Sequence, residues 1–216
     1  MQESTLDLER FRQKKQKIAE EQVQDLYRKA FEYALKETNI REKVRAKMIF
    51  SNRFLHQDQT RLAGRVEKLF QEWFLFDYKT IKGQTLFFQF LQSYPLHESA
   101  KLLGAVVLTA AWEPVTVKEK DGVILRCQHL IHGDEVSVKI NPDCLEKEIH
   151  EGQSFFVRKV PLVVHEWILG PVFPVHSEDI REKLKDHYGQ MNQETGVLWR
   201  TFLKEEAPNF ILPSLS

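Results

Sequence analysis

The period of the hydrophobic pattern changes near residue 112, from helical spacing to alternation, and that change limits what the chain can fold into. Before it, apolar residues recur every three or four positions, as in Leu62, Val66, Leu69, Phe70, Trp73 and Phe74, a wide stripe at helical spacing. After it, apolar and polar residues alternate. Val115 and Val117 alternate with Thr116 and Lys118. Val123, Leu125 and Cys127 alternate with Ile124, Arg126 and Gln128. Val136, Val138 and Ile140 alternate with Ser137 and Lys139. Successive side chains of a strand point to opposite faces, so a period of two buries one face of a sheet. Asp121-Gly122 and His132-Gly133-Asp134 supply the turns between these runs.

The helical half reads as several elements. Residues 4–37 hold one or two helices, with Leu8, Phe11, Lys15 and Ile18 on one face and then Val23, Tyr27, Ala30 and Ala34 on a shifted one. The thinly apolar first part is expected to project from the body, and Thr38-Asn39 to stop the helix. Residues 40–57 read as a second helix with Ile40, Val44, Met48 and Phe54 along one side. A third covers 60–78, and Lys82-Gly83 breaks the chain. A short buried helix around Leu86, Phe87, Phe90 and Leu91 ends before Pro95, and another runs from near His97 to about Ala110. Trp73, Phe74 and Phe90 are expected in the core.

Beyond the hairpins, strands are expected over Phe155 to Val160 and Val163 to Leu169, the latter terminated by Gly170-Pro171. Five or six short, closely spaced strands suggest a small meander closed into a barrel. Ser177 looks like a helix N-cap with Glu178 and Asp179 in the first turn, and Gly189 is expected to end that helix. A last helix is expected over Gln193 to Glu206, with Val197, Leu198 and Phe202 buried and Pro208 as its stop. The fold class is therefore α+β: a helical region over residues 1–110, a small antiparallel β-barrel over 111–176, and C-terminal helices over 177–216, packed on the rest.

Several functional classes fall away on composition. The longest apolar run, Leu102 to Trp112, is shorter than a bilayer span, and Met1 to Glu21 is too polar for a secretory signal. Two cysteines, Cys127 and Cys144, make no disulfide framework and fit a reducing compartment. Cytoplasmic location is the expectation, with no membrane contact. There is no Gly-x-Ser-x-Gly elbow and no phosphate-cradling glycine loop among the nine Gly.

Three groups of residues could carry chemistry. Cys127 and His129 share a strand face with His132 in the next turn, and His165 or His176 could add a ligand. Zinc needs three or four convergent donors, and nothing fixes these distances, so no metal and no cofactor is expected. Glu72 and Asp77 flank Trp73-Phe74-Leu75-Phe76. Such carboxylates either act as acids with raised pKa or, as expected here, close a buried helix and pair with a nearby base. The third group is basic. Residues 1–103 hold 19 Lys and Arg against 14 Asp and Glu, and the rest of the chain holds 12 against 17. Arg10, Arg12, Lys14, Lys15 and Lys17 follow one another without an acid, and Arg41, Lys43, Arg45, Lys47 and Arg53 follow with Glu42 as the only one. At about 100° per residue Lys43 and Lys47 share a helix face, while Arg45 lies on roughly the opposite one. Lys43, Lys47 and Arg53 are the residues expected to meet a polyanion such as RNA, against the alternative of a solvated face.

The stretch Trp73-Phe74-Leu75-Phe76-Asp77-Tyr78, followed by Gly83-Gln84-Thr85-Leu86 and Phe90-Leu91, resembles an uncharacterised bacterial family. Some members of that family carry a cysteine-rich zinc tail of the kind found at the SecA C-terminus. Val123-Ile124-Leu125-Arg126, Gly133-Asp134-Glu135-Val136 and Gly170-Pro171-Val172-Phe173-Pro174 extend the resemblance over roughly residues 60–180. It implies a shared core of helices followed by strands, and no particular activity. No cysteine follows Cys144, so the zinc tail has no counterpart here.

The functional expectation is a non-catalytic interaction module of the bacterial cytoplasm that meets a protein or nucleic-acid partner. One alternative is an RNA- or ribosome-associated factor using the basic N-terminal helices. Another is a small hydrolase with a site assembled from dispersed residues.

Overall fold

A computed structural model describes residues 2–55, 62–141, 149–177 and 179–215, and confirms the α+β class. Cys144 and Glu178 lie outside the described residues. Helix α1 (Gln2–Glu37) is one continuous rod, about 54 Å long at 1.5 Å per residue. Asn39 follows it and caps α2 (Ile40–Phe50), its side chain accepting from the Glu42 N–H at 2.8 Å. A wider helical turn (Ser51–Leu55) follows. Helices α3 (Gly64–Phe76), α4 (Leu86–Ser93) and α5 (Glu98–Thr109) complete the helical half. Trp73, Phe74 and Phe90 are buried, as their spacing requires.

Six strands follow: β1 (Trp112–Asp121), β2 (Ile124–His129), β3 (Glu135–Lys139), β4 (Ser154–Val160), β5 (Glu166–Ile168) and β6 (Phe173–Val175). The order β1-β2-β3-β5-β4 closes on itself through the β1–β4 pairing. The barrel is mixed rather than wholly antiparallel, because β3 and β5 run parallel. β4 is antiparallel to both β1 and β5, so β5 runs in the direction that β1 and β3 share. The unexpected strand β6 pairs with the first residues of β4, and β5 pairs with its last two. Val115, Val117, Cys127, Val138, Phe155, Val157 and Ile168 fill the barrel interior. Trp112, Phe156, Val160, Trp167 and Phe173 instead join the core of the helical half, so the outer wall of the barrel and the helices share one apolar layer.

The C-terminal helices differ from expectation at both punctuation residues. α6 (Ile180–Thr195) runs through Gly189 and ends at Gly196, whose φ of 67° gives the left-handed cap that side chains resist. α7 (Trp199–Ile211) runs through the buried Pro208, which lies in its last turn. Phe202 is buried as expected, but Leu198 is exposed, because it precedes the helix as its cap. Ser177 donates to Asp179, and Asp179 is the residue that caps α6.

The two halves are tied at a buried polar network. Arg158, fully buried, lies on the outward-facing side of β4 between the rings of Phe76 (4.7 Å) and Trp112 (4.9 Å). Its guanidinium donates to Asp77 Oδ2 at 2.6 Å and to the Ala110 carbonyl at 2.9 Å. Asp77 is the C-cap of α3, so the expected pairing of a helix-closing carboxylate with a base is what the structure contains. Gln16 makes the other tie. Its amide oxygen accepts from the N–H groups of Val163 and Val164 at 3.0 and 2.8 Å, and its NH2 donates to the His165 carbonyl. Residues 7–15 of α1, ahead of that tie, are all exposed.

Candidate functional site: the outer face of helix α2

Helix α2 has two apolar faces. Successive residues turn by about 100°, so Ile40, Val44 and Met48 form one stripe within roughly a quarter-turn, while Ala46 and Phe50 point away from its centre. The chain uses the second pair inward: Ala46 and Phe50 are fully buried, and Phe50 packs edge-on against Phe54 and Phe70 and beside Trp73. Ile40, Val44 and Met48, expected along one side with Phe54, are separated from it. They stand 72%, 49% and 52% exposed, whereas Phe54 is buried. Packing against the α3 aromatics decides the matter, since Phe50 offers those rings far more surface than Ile40 or Val44 could.

Charge frames the outer stripe on both sides. By the same helical rotation Arg41 and Arg45 adjoin Met48 along one edge, and Lys43 and Lys47 adjoin Ile40 along the other. The one acid of α2, Glu42, is turned inward, where its carboxylate accepts from the Tyr78 hydroxyl and from Arg45 at 3.1 Å. Burial, with the Glu42 carboxylate adding to it, pushes the Tyr78 hydroxyl up to about 12, so this bond is kept across the physiological range. Arg45 also donates to the Tyr78 oxygen at 2.9 Å, which holds its guanidinium at the edge of the stripe. Together Ile40, Arg41, Val44, Arg45, Met48 and Asn52 line an open groove of about 510 Å³.

The three basic residues singled out in the sequence do not form one patch. Lys43 donates to the Leu35 carbonyl at 2.6 Å and so caps the end of α1. Lys47 lies on the same flank, 3.9 Å from Glu67 and over the Phe70 ring. Arg53 turns away to Glu206 of α7 at 2.6 Å. Each already has a local partner, and the apolar stripe, not a track of free charge, dominates the surface. The sequence signal for that stripe was present in the spacing of Ile40, Val44 and Met48, but the pattern does not say which of two apolar faces turns inward.

The other candidate groups are structural. Cys127 is buried in the barrel, where burial pushes its thiol up to about 12, away from any nucleophilic role at neutral pH. His165 bonds Ser137 Oγ at 2.8 Å through Nδ1. Among the described residues no group of three His, Cys, Asp or Glu could hold a metal ion, and no helix is long and apolar enough to cross a membrane. Glu72 is sealed beneath α1, accepting from the Tyr27 hydroxyl, with Gly170 packed against both. Its carboxyl is raised to about 7, chiefly by burial, which outweighs the opposing pull of Arg158 and of the Tyr27 bond. Comparison with known proteins finds no family model, no curated protein and no solved structure that matches this chain.

Proposed function

We propose that the protein is a non-catalytic interaction module whose α2 face docks an amphipathic helix of a partner protein, apolar along one stripe and acidic on its edges. The observation that carries this reading is the exposure of Ile40, Val44 and Met48 on one face of a helix whose other face is already packed. The stripe spans two turns, about 12 Å, the length over which a partner helix presents anchors at i, i+4 and i+7. Cations on both flanks fit acids on the incoming helix and steer its approach. A second copy of the chain fits poorly, because a two-fold contact would set Arg41, Arg45, Lys43 and Lys47 against their own copies.

The test places a photo-activated crosslinker at Val44 in the native cell and identifies the captured segment by mass spectrometry. A peptide of that segment is then titrated against the parent, against Arg41→Glu, and against Ile40→Glu with Met48→Glu. The expected segment carries a helical apolar stripe with acidic flanks, and both variants weaken it at least tenfold. Capture of RNA, of a basic segment or of nothing, or equal affinity for the variants, would overturn the proposal.

A further inference from the structure

The barrel interior changes character at one end. The strand faces that carry Val115, Cys127, Phe155, Val157 and Ile168 inward also carry Glu113, His129, Lys159 and Glu166, by the period of two. These four form a polar ring at the mouth. Lys159 Nζ lies 3.1 Å from Glu113 and 2.5 Å from Glu166, and His129 Nδ1 lies 3.5 Å from Glu113. Burial and the Lys159 charge hold His129 below its usual range despite the two carboxylates. With one Lys set against two Glu and His129 held towards its neutral form, the ring keeps an excess of one negative charge and makes a polar floor.

Above that floor lies a cleft of about 710 Å³, walled by His132 and Asp134 of the β2–β3 turn, the end of α5 and the first two turns of α7. Its upper wall is not balanced. Arg200 and Lys204 both line it, one helical turn apart, and among the described residues neither forms an ion pair with a carboxylate. Lys204 Nζ donates only to the Leu108 carbonyl at 2.6 Å, leaving two of its protons for another acceptor. Burial lowers the Lys204 pKa, and Arg158, Arg200 and Lys79 lower it further against the opposing effect of Asp77. Like charges at i and i+4 repel on a helix. Arg200 stands, moreover, in the first turn of a helix with no side-chain cap and no acid there, where a cation is also disfavoured by the helix dipole. One bound anion relieves all of these together.

We infer that the barrel mouth is a binding site for a small phosphate monoester. Its phosphate sits between Arg200, Lys204 and the first N–H groups of α7, and its organic part lies against Trp199 and His132, whose rings meet edge to face at 5.8 Å. The cleft has the volume of an ordinary small-molecule site, and barrel mouths are a recurrent place for one. The cations form a single cluster rather than a row, which suits one phosphate group and not the regularly spaced phosphates of an RNA chain. The site is separate from the α2 face and does not depend on the docking proposal.

The experiment uses the full chain. Trp199 is partly exposed, whereas Trp73, Trp112 and Trp167 are buried, so ligand at the mouth is read in tryptophan emission. Inorganic phosphate, AMP, adenosine and an eight-nucleotide RNA are titrated at fixed ionic strength, with melting temperature as a second readout. AMP is expected to change the emission and raise the melting temperature. Arg200→Glu and Arg200→Gln, both at an exposed position, should weaken AMP at least tenfold. Without ligand, Arg200→Glu should melt higher than the parent, because it removes the repulsion. With saturating AMP the order should reverse, which a merely structural role for Arg200 would not produce. No response to phosphate or AMP, adenosine bound as well as AMP, equal affinity in the variants, or preference for the RNA over AMP would overturn the inference. Ile40→Glu with Met48→Glu should leave AMP binding intact, which separates this result from that of the docking proposal.

Discussion

Replacing Glu72 with Gln should change how stability depends on pH. Glu72 is buried, Oε1 accepts from Tyr27, and Oε2 has no hydrogen bond and lies 3.8 Å from Arg158 Nε. The Arg158 charge is taken up by Asp77, so Glu72 is a second acid sharing one cation in a buried seam. Its carboxyl is raised from 4.5 to about 7 in the folded protein. A raised acid makes the folded state bind more protons than the unfolded one. The stability linked to it is therefore complete below pH 4.5 and is lost as pH rises towards 7. A gap of roughly two and a half units corresponds to about 3 kcal/mol in total, of which ~2–3 kcal/mol falls between pH 5 and pH 8. Gln keeps an oxygen for Tyr27 and carries no charge. Urea denaturation of the parent and of Glu72→Gln at intervals from pH 5 to pH 8 should show the variant gaining that amount on the parent as pH rises. Parallel stability curves would mean that Glu72 ionises in the fold at its ordinary pH, and the account of the seam would be wrong.

Trp73→Ala should lower stability by about 3–5 kcal/mol, and an unchanged melting temperature would place Trp73 outside the core. Gly170 has φ of 74°, and a Cβ there would lie 2.5 Å from the Tyr27 oxygen and 2.7 Å from Glu72, so Gly170→Ala should cost at least ~2 kcal/mol by denaturant titration; a neutral result would refute the close packing. Gln16→Ala should speed amide hydrogen exchange at Val163 and Val164, whose N–H groups lose their acceptor, and unchanged protection there would show that Gln16 does not hold the loop.

Much of the fold was legible in period and punctuation. The hairpins, the α3 stripe and the helix stop at Thr38-Asn39 follow from local chemistry. What was not legible depended on neighbours distant in sequence. Gly189 and Pro208 read as stops, yet both lie within helices, and the Gly196 backbone marks the true end of α6. Gly170-Pro171 is expected to end the last strand, and no strand is expected at Phe173-Pro174-Val175, but β4 offers it an edge. Arg158 is the clearest signal left unread. It shares a strand face with Phe156 and Val160, both buried, so the alternation itself puts a cation into an apolar layer, and Asp77 was already marked as needing a base.

The parallel contact between β3 and β5 has a consequence for how the chain reaches its native state. The β1–β2 and β2–β3 hairpins can zip from their own turns. The barrel then waits on β4, which joins residues as far apart as Trp112 and Arg158, and on β5, which must enter between β4 and β3 by only two residue pairs on each side. Closing such distant contacts costs chain entropy before any pairing repays it. Until β5 arrives, β3 presents an unpaired edge. Slow barrel closure is therefore the step at which newly made chains are most exposed to pairing with one another, and crowding of partly folded chains should reduce the yield of refolding at this step before any other.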